Sequence, residues 1–197
     1  MDFDIISDKK IDYKTYGKIQ VESYWNMEKK ERHRYIYENG ISFSEWAKDL
    51  GISRQTVSKN FKYFVKCGLI KRIKDRSGKI CYLIPNGFNF YLKIEEKLLR
   101  IMSRSLSSNA IKVYLVYRSF NDHYGKPCTL SKKDVLERIG LNTKSNNNED
   151  ILTDINKTLE TLGLIEITKI IVNDENGKVK KNLSIKTLPY KDLKLVR

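Results

Sequence analysis

The chain has 197 residues, 40% of them hydrophobic, which is enough for one large core or two small ones. It has no run of about 18 apolar residues for a membrane span, and Asp2, Asp4 and Asp8 replace the basic-then-apolar start of a secretory leader, so a cytoplasmic protein is expected. The net charge of +14 favours a polyanionic partner, nucleic acid ahead of an anionic membrane surface. Cys67, Cys81 and Cys128 have neither paired nor metal-ligand spacing, and are expected to be reduced thiols acting as small buried hydrophobes.

In chain order, residues 1–25 are polar with scattered aromatics and read as an irregular arm, with a strand near 18–21. Residues 26–38 read as a helix capped by Asn26, although their apolar periodicity is poor, and Glu38-Asn39-Gly40 closes it. A better helix start follows. Ser42 stands three before Glu45, a capping-box spacing, with Ile41 and Trp46 placed as a hydrophobic staple. This helix, 43–50, buries Trp46, Ala47 and Leu50, and Gly51 permits a sharp turn. Ser53 caps a second helix, 54–67, whose apolar face is Val57, Phe61, Phe64 and Val65 at positions i, i+4, i+7 and i+8. Gly68 ends it. Residues 69–74 and 79–84 then read as two strands of a hairpin around Asp75-Arg76-Ser77-Gly78.

Pro85-Asn86-Gly87 is the expected boundary between domains at 1–87 and 88–197. Beyond it, 91–104 is an amphipathic helix with Ile94, Leu98, Ile101 and Met102 on one stripe. Residues 109–120 are apolar on most of the helix circumference and should be buried. Residues 121–127 read as a loop. The earlier pattern then returns. Ser131 stands three before Asp134, and aligning Ser42 with Ser131 matches Trp46 to Val135, Leu50 to Ile139, Gly51 to Gly140 and Ile52 to Leu141 without a gap. A helix at 149–162 ends in Gly163-Leu164-Ile165, as the first copy ends in Gly68-Leu69-Ile70. Strands at 165–172 and 178–187 form a second hairpin, and 188–197 is a short basic tail.

The copies differ in charge. From Arg54 to Lys79 there are nine Lys/Arg and one acid, whereas residues 1–53 hold nine basic and ten acidic side chains. A basic run alone is usually a solvated helix face. Here it lies on a helix after a capped helix and a turn glycine, and continues into a basic hairpin. Arg54, Gln55, Thr56, Ser58, Lys59 and Lys62 are side chains able to bond base edges and phosphates, and Lys71, Arg72, Lys74, Arg76 and Lys79 suit phosphates or a minor groove. In the second copy the turn is longer by six residues within 142–148, and its helix carries Glu149, Asp150, Asp154 and Glu160, which phosphates would repel. Lys144 and Asn146 could still reach DNA from that loop.

No catalytic constellation is present. His33 and His123 stand apart, no metal-ligand pair occurs, and none of the Gly-Lys pairs at 17, 78, 125 and 177 closes a phosphate-loop pattern. The chain is expected to be no enzyme and to need no metal or cofactor.

Residues 41–84 resemble the winged-helix superfamily, through Ala47, Leu50-Gly51-Ile52-Ser53, Thr56-Val57-Ser58 and Gly68-Leu69-Ile70. Ser131–Ile185 resembles it less closely. The resemblance implies an α+β, mainly α fold of two winged helix-turn-helix domains in tandem. Such a pair is similar to the replication initiators of plasmids and phages in low-GC Gram-positive bacteria. That likeness implies sequence-specific binding of double-stranded DNA by one or both units, with a homodimer or a replisome protein as further partners. Winged-helix transcription regulators share the unit, and a protein-interaction module is the reading outside DNA binding.

Overall fold

A computed structural model of the chain describes residues 6–25, 34–85, 92–173 and 179–189. Residues 26–33 of the helix predicted over 26–38, residues 174–177 of the turn predicted at 173–177, and residues 190–197 of the predicted tail lie outside these residues. The fold is mixed α+β and mainly helical. It divides into two compact units, one of residues 10–108 and one of residues from 109 onward together with the segment at 6–9.

The first unit begins with helix α1 (Tyr13–Glu22), where an irregular arm and a strand at 18–21 were expected. Asp12 caps it, accepting from Thr15 N at 3.0 Å and from Thr15 Oγ1 at 2.5 Å. Tyr13, Tyr16 and Ile19 are all within 1% of full burial, so the aromatics taken for an arm are core. Gly17 is a poor helix former, but it lets another helix approach. A Cβ there would stand 2.4 Å from Ser103 Oγ and 3.1 Å from Leu99 Cδ1. Gly17→Val is therefore expected to cost about 1–3 kcal/mol, read as a lower urea midpoint.

Strand β1 (Tyr24–Trp25) pairs with β2 (Arg34–Tyr37), and both are antiparallel. Residues 34–37 had been assigned to the end of a helix. Instead Ile36 is buried and Tyr35 and Tyr37 alternate to the other face, a period of two that four residues are too few to announce. After a 3-10 turn at Glu38–Gly40 come α2 (Phe43–Leu50) and α3 (Arg54–Lys66). Gly51 joins them at φ 63°, and Ile52 N bonds back to Ala47 O at 3.0 Å, closing α2 with a left-handed turn. Ser42 accepts from Glu45 N at 3.3 Å.

Strands β3 (Lys71–Lys74) and β4 (Ile80–Ile84) complete a four-stranded antiparallel sheet in the order β1-β2-β4-β3. The core joins sheet and helices through rings. Phe61 of α3 contacts Phe43, Trp46 and Tyr82 at centroid separations of 5.0, 5.5 and 5.5 Å.

Helix α4 (Glu96–Ser105) packs on α1 and α2 by burying Leu98, Leu99 and Met102. Ion pairs run from Arg100 to Glu22 at 3.0 Å and from Arg104 to Asp49 at 2.6 Å. This helix belongs to the first unit, so the division falls after Ser108 and not at the boundary expected at Pro85-Asn86-Gly87.

The second unit opens with α5 (Ser108–Tyr124), which runs through the expected loop as far as Tyr124. Ala110, Ile111 and every residue from Val113 to Tyr117 are at most 3% exposed, as an all-round apolar helix requires. Lys112 is also buried and donates to Asp8 O at 2.7 Å, drawing the segment at 6–9 onto this unit. Helix α6 (Lys132–Arg138) starts with a complete capping box between Ser131 and Asp134. Leu141 N bonds Leu136 O at 2.8 Å across Gly140, the counterpart of the Ile52–Ala47 bond.

Helix α7 (Asn146–Thr161) begins three residues earlier than expected, so the last three residues of the enlarged turn at 142–148 are helix. Asn148 Nδ2 bonds Asn142 O at 2.8 Å and holds the turn to that first helical coil. Strands β5 (Ile165–Asn173) and β6 (Val179–Thr187) form the hairpin, and Cys128 bridges antiparallel to Ile185 on β6. The order helix, strand residue, helix, helix, hairpin thus follows the first unit from α1 to β4.

Candidate nucleic-acid interface

Periodicity divides α3 into two faces. Val57, Asn60, Phe61 and Phe64 are buried, while Arg54, Gln55, Thr56, Lys59, Lys62 and Lys66 are exposed and Ser58 is half-buried. Val65, expected on the apolar face, is 37% exposed, and the buried place is taken by Asn60. Asn60 Nδ2 donates to Asp12 Oδ2 at 3.0 Å and to Thr15 Oγ1 at 2.9 Å. These bonds tie α3 to the start of α1 and fix how the exposed face is presented.

Ser53 caps α3 by accepting from Thr56 N at 3.0 Å, and the two hydroxyls lie 2.8 Å apart. Thr56 therefore has a capping role, whereas Arg54 and Gln55 extend from the same first turn. Among the described residues, no hydrogen bond or ion pair holds the side chains of Arg54, Gln55, Lys59 or Lys62. Cys67, expected to be buried, is exposed at the C-terminal end of α3, while Cys81 and Cys128 are buried and free.

The hairpin after α3 divides its cations by strand alternation. Tyr82 faces the helices, where it meets Phe61, and Arg72 pairs with it across the ladder, so Arg72 and Lys74 share the helix-facing side. Lys71 pairs with Leu83 and alternates to the opposite side. Arg72 has a partner. Its guanidinium grips Glu38 through Nε and Nη2 at 3.1 and 3.0 Å, and Tyr82 donates to the same Oε1 at 3.0 Å. This pair pins β3 to the turn after β2.

Asp75, the one acid in the basic stretch, is used to build the turn. Its Oδ1 accepts from Ser77 Oγ at 2.8 Å, Ser77 N at 2.8 Å and Lys79 N at 2.9 Å, while Tyr37 OH reaches Oδ2 at 3.0 Å. The bond from Ser77 is the main cause holding the carboxyl below its usual range, with Lys79 N and Tyr37 adding to it. In the other direction, the bond to Asp75 pushes the Tyr37 phenol up to about 12. Arg76 and Lys79 are thereby presented on an ordered tip.

Because the folded pKa of Asp75 is depressed, its bonds contribute fully above the unfolded value of about 3.9 and are lost as pH falls through the lower folded value. Amide exchange at Ser77 and Lys79, compared with that of the β4 amides, is expected to lose protection only below that range. In Asp75→Ala the protection should already be lost at neutral pH.

The corresponding surface of the second unit has a different sign. Asp150, Asp154 and Glu160 are exposed on α7, Glu149 is half-exposed, and Lys157 pairs with Asp154 at 3.5 Å. Lys144 and Asn146 are exposed beside this helix start, and Lys144 N bonds Asn142 Oδ1 at 2.9 Å. Among the described residues no three His, Cys, Asp or Glu side chains gather as metal ligands, and no helix is long and apolar enough to cross a membrane. No protein-family model matches the chain, and no curated protein is detectably similar to it.

Proposed function

We propose that the chain is a sequence-specific, non-enzymatic binder of double-stranded DNA built from two winged helices in tandem. The observation that carries this reading is the exposed, unpaired cationic face of α3, continued by the helix-facing side and tip of the hairpin. The element order α1-β2-α2-α3-β3-β4, with strands in the order β2-β4-β3, supports the winged-helix assignment. In that geometry the first turn of α3 enters the major groove. Arg54 and Gln55 read base edges there, Ser58 and Lys59 meet bases or the adjoining backbone, and Lys62, Lys74, Arg76 and Lys79 hold phosphates. Lys71 and Arg72 contribute less, one by direction and the other through its pair with Glu38. The second unit adds a weaker contact through Lys144 and Asn146, or a dimer surface.

The sequence resemblance favours replication initiation of a plasmid or other mobile element as the role. A nuclease footprint over the protein's own gene neighbourhood tests it. Several direct repeats beside an AT-rich stretch are expected, whereas a single inverted repeat over a promoter would assign the chain to transcription regulation. No protected site, with no anisotropy change on any duplex, would remove the DNA reading and leave a protein-interaction module.

A further inference from the structure

The second unit contains a cavity of about 540 Å³ between α6, α7 and the hairpin β5–β6, a size suited to a small organic ligand. Val135 and Leu152 form its helical wall, and Leu183 and Ile171 its hairpin wall. Ile171 lies on the same side of the hairpin as the buried Ile165 and Ile185, yet it is 73% exposed. An apolar side chain directed inward and left uncovered is what an apolar ligand would cover.

The polar groups of the cavity define that ligand further. Asn156 is 6% exposed, and its Oδ1 accepts from Tyr117 OH at 2.8 Å. Burial raises the Tyr117 phenol well above its ordinary value, so it remains the donor. The Asn156 amide nitrogen donates to no described group, and Asn156 lines the cavity, where that nitrogen can serve as a donor to an occupant. Two ammonium groups complete the lining. Lys132 is held by Thr153 Oγ1 at 2.9 Å, and Lys169 on β5 has no ion-pair partner among the described residues. No carboxylate lines the cavity.

We propose that this cleft binds a small organic anion, a carboxylate on an apolar body that carries one hydrogen-bond acceptor. The carboxylate lies between Lys132 and Lys169. The body covers Ile171 and Leu183, and the acceptor takes the free donor of Asn156. Two lysines and no acid in the lining select an anion over a cation or a neutral hydrocarbon. The cavity belongs to the second unit, and none of the residues assigned to DNA contact lines it.

The test is calorimetry of the whole chain with 4-benzoylbutyrate, which has an aryl body, a ketone and a carboxylate. The comparisons are its methyl ester and 5-phenylvalerate, which lacks the ketone. The acid is expected to bind. The ester should bind about tenfold more weakly, because hydrogen bonds to a charged group are lost, and 5-phenylvalerate should also be weaker. Lys169→Glu lies on the exposed strand and should weaken the acid about tenfold while leaving the ester unchanged, with far-UV dichroism confirming the fold. Equal binding of acid and ester would overturn the proposal, as would an unaltered affinity in Lys169→Glu. No heat with any probe, together with a change of sedimentation in Ile171→Asp, would make the cleft an interface between copies and overturn it too.

Discussion

Raising monovalent salt from about 50 to about 200 mM is expected to weaken binding of the whole chain to duplex DNA roughly 500-fold, with a slope of log K on log salt near −4.5. The slope follows from which cations the structure leaves available. Lys59 and Lys62 are exposed on α3, Lys74 is exposed on the helix-facing side of β3, and Arg76 and Lys79 stand on the tip built by Asp75. Each phosphate neutralised releases condensed counterions, about 0.9 per contact, and five such contacts set the value. Lys71 is left out because it alternates to the other side of the sheet, and Arg72 because Glu38 already holds it. An exchange of Glu38 for a phosphate would steepen the slope by about one, so Glu38→Gln is the variant that detects it. A flat salt response would remove phosphate contact altogether.

Arg54→Ala should cost about 1–3 kcal/mol on the footprinted site, a loss of roughly 5- to 150-fold, and much less on random duplex. Arg54 is the first residue of α3, exposed and unpaired, on a helix end fixed by the Ser53 cap and by the Asn60 bonds to α1. A guanidinium so placed can bond a guanine edge in two places, which a backbone contact cannot imitate. The contrast is Lys62→Ala, where both duplexes should weaken alike and the salt slope should fall by about one. Equal losses on both duplexes for Arg54→Ala would assign that side chain to the backbone and transfer sequence reading to Gln55 or the hairpin.

What the sequence made legible was local. The caps at Ser42, Ser53 and Ser131, the turns at Gly51 and Gly140 and the apolar stripe of α3 depend on neighbours within a few residues, and each element lies within a few residues of its expected place. The faces of α3 follow from the same spacing. The misses come from distant partners. Residues 13–22 looked like an arm because Gly17 and the polar residues around it disfavour an isolated helix. Only packing against Leu99 and Ser103 explains that glycine. Residues 34–37 became a strand because β4 pairs with them, and Cys128 is bridged to Ile185 by the fold alone. Within the candidate interface, Arg72 and Lys71 read as cations equal to their neighbours. The grip of Glu38, 34 positions earlier, and the register against Leu83 set them apart. Asp75 was placed in the hairpin turn by sequence, but its three bonds to Ser77 and Lys79, which build that turn, are seen only in the structure.

The claim that the first unit is the principal DNA contact is tested most directly by anisotropy of one labelled duplex with two surface variants of the whole chain. The first carries Arg54→Glu, Lys59→Glu and Lys62→Glu, and the second carries Lys144→Glu and Asn146→Asp. All five side chains are exposed, so both variants should keep the wild-type dichroism. The first is expected to lose at least about a hundredfold in affinity and the second only several-fold. Comparable losses in both, or a larger loss in the second, would contradict the assignment of α3 and its hairpin as the main reader.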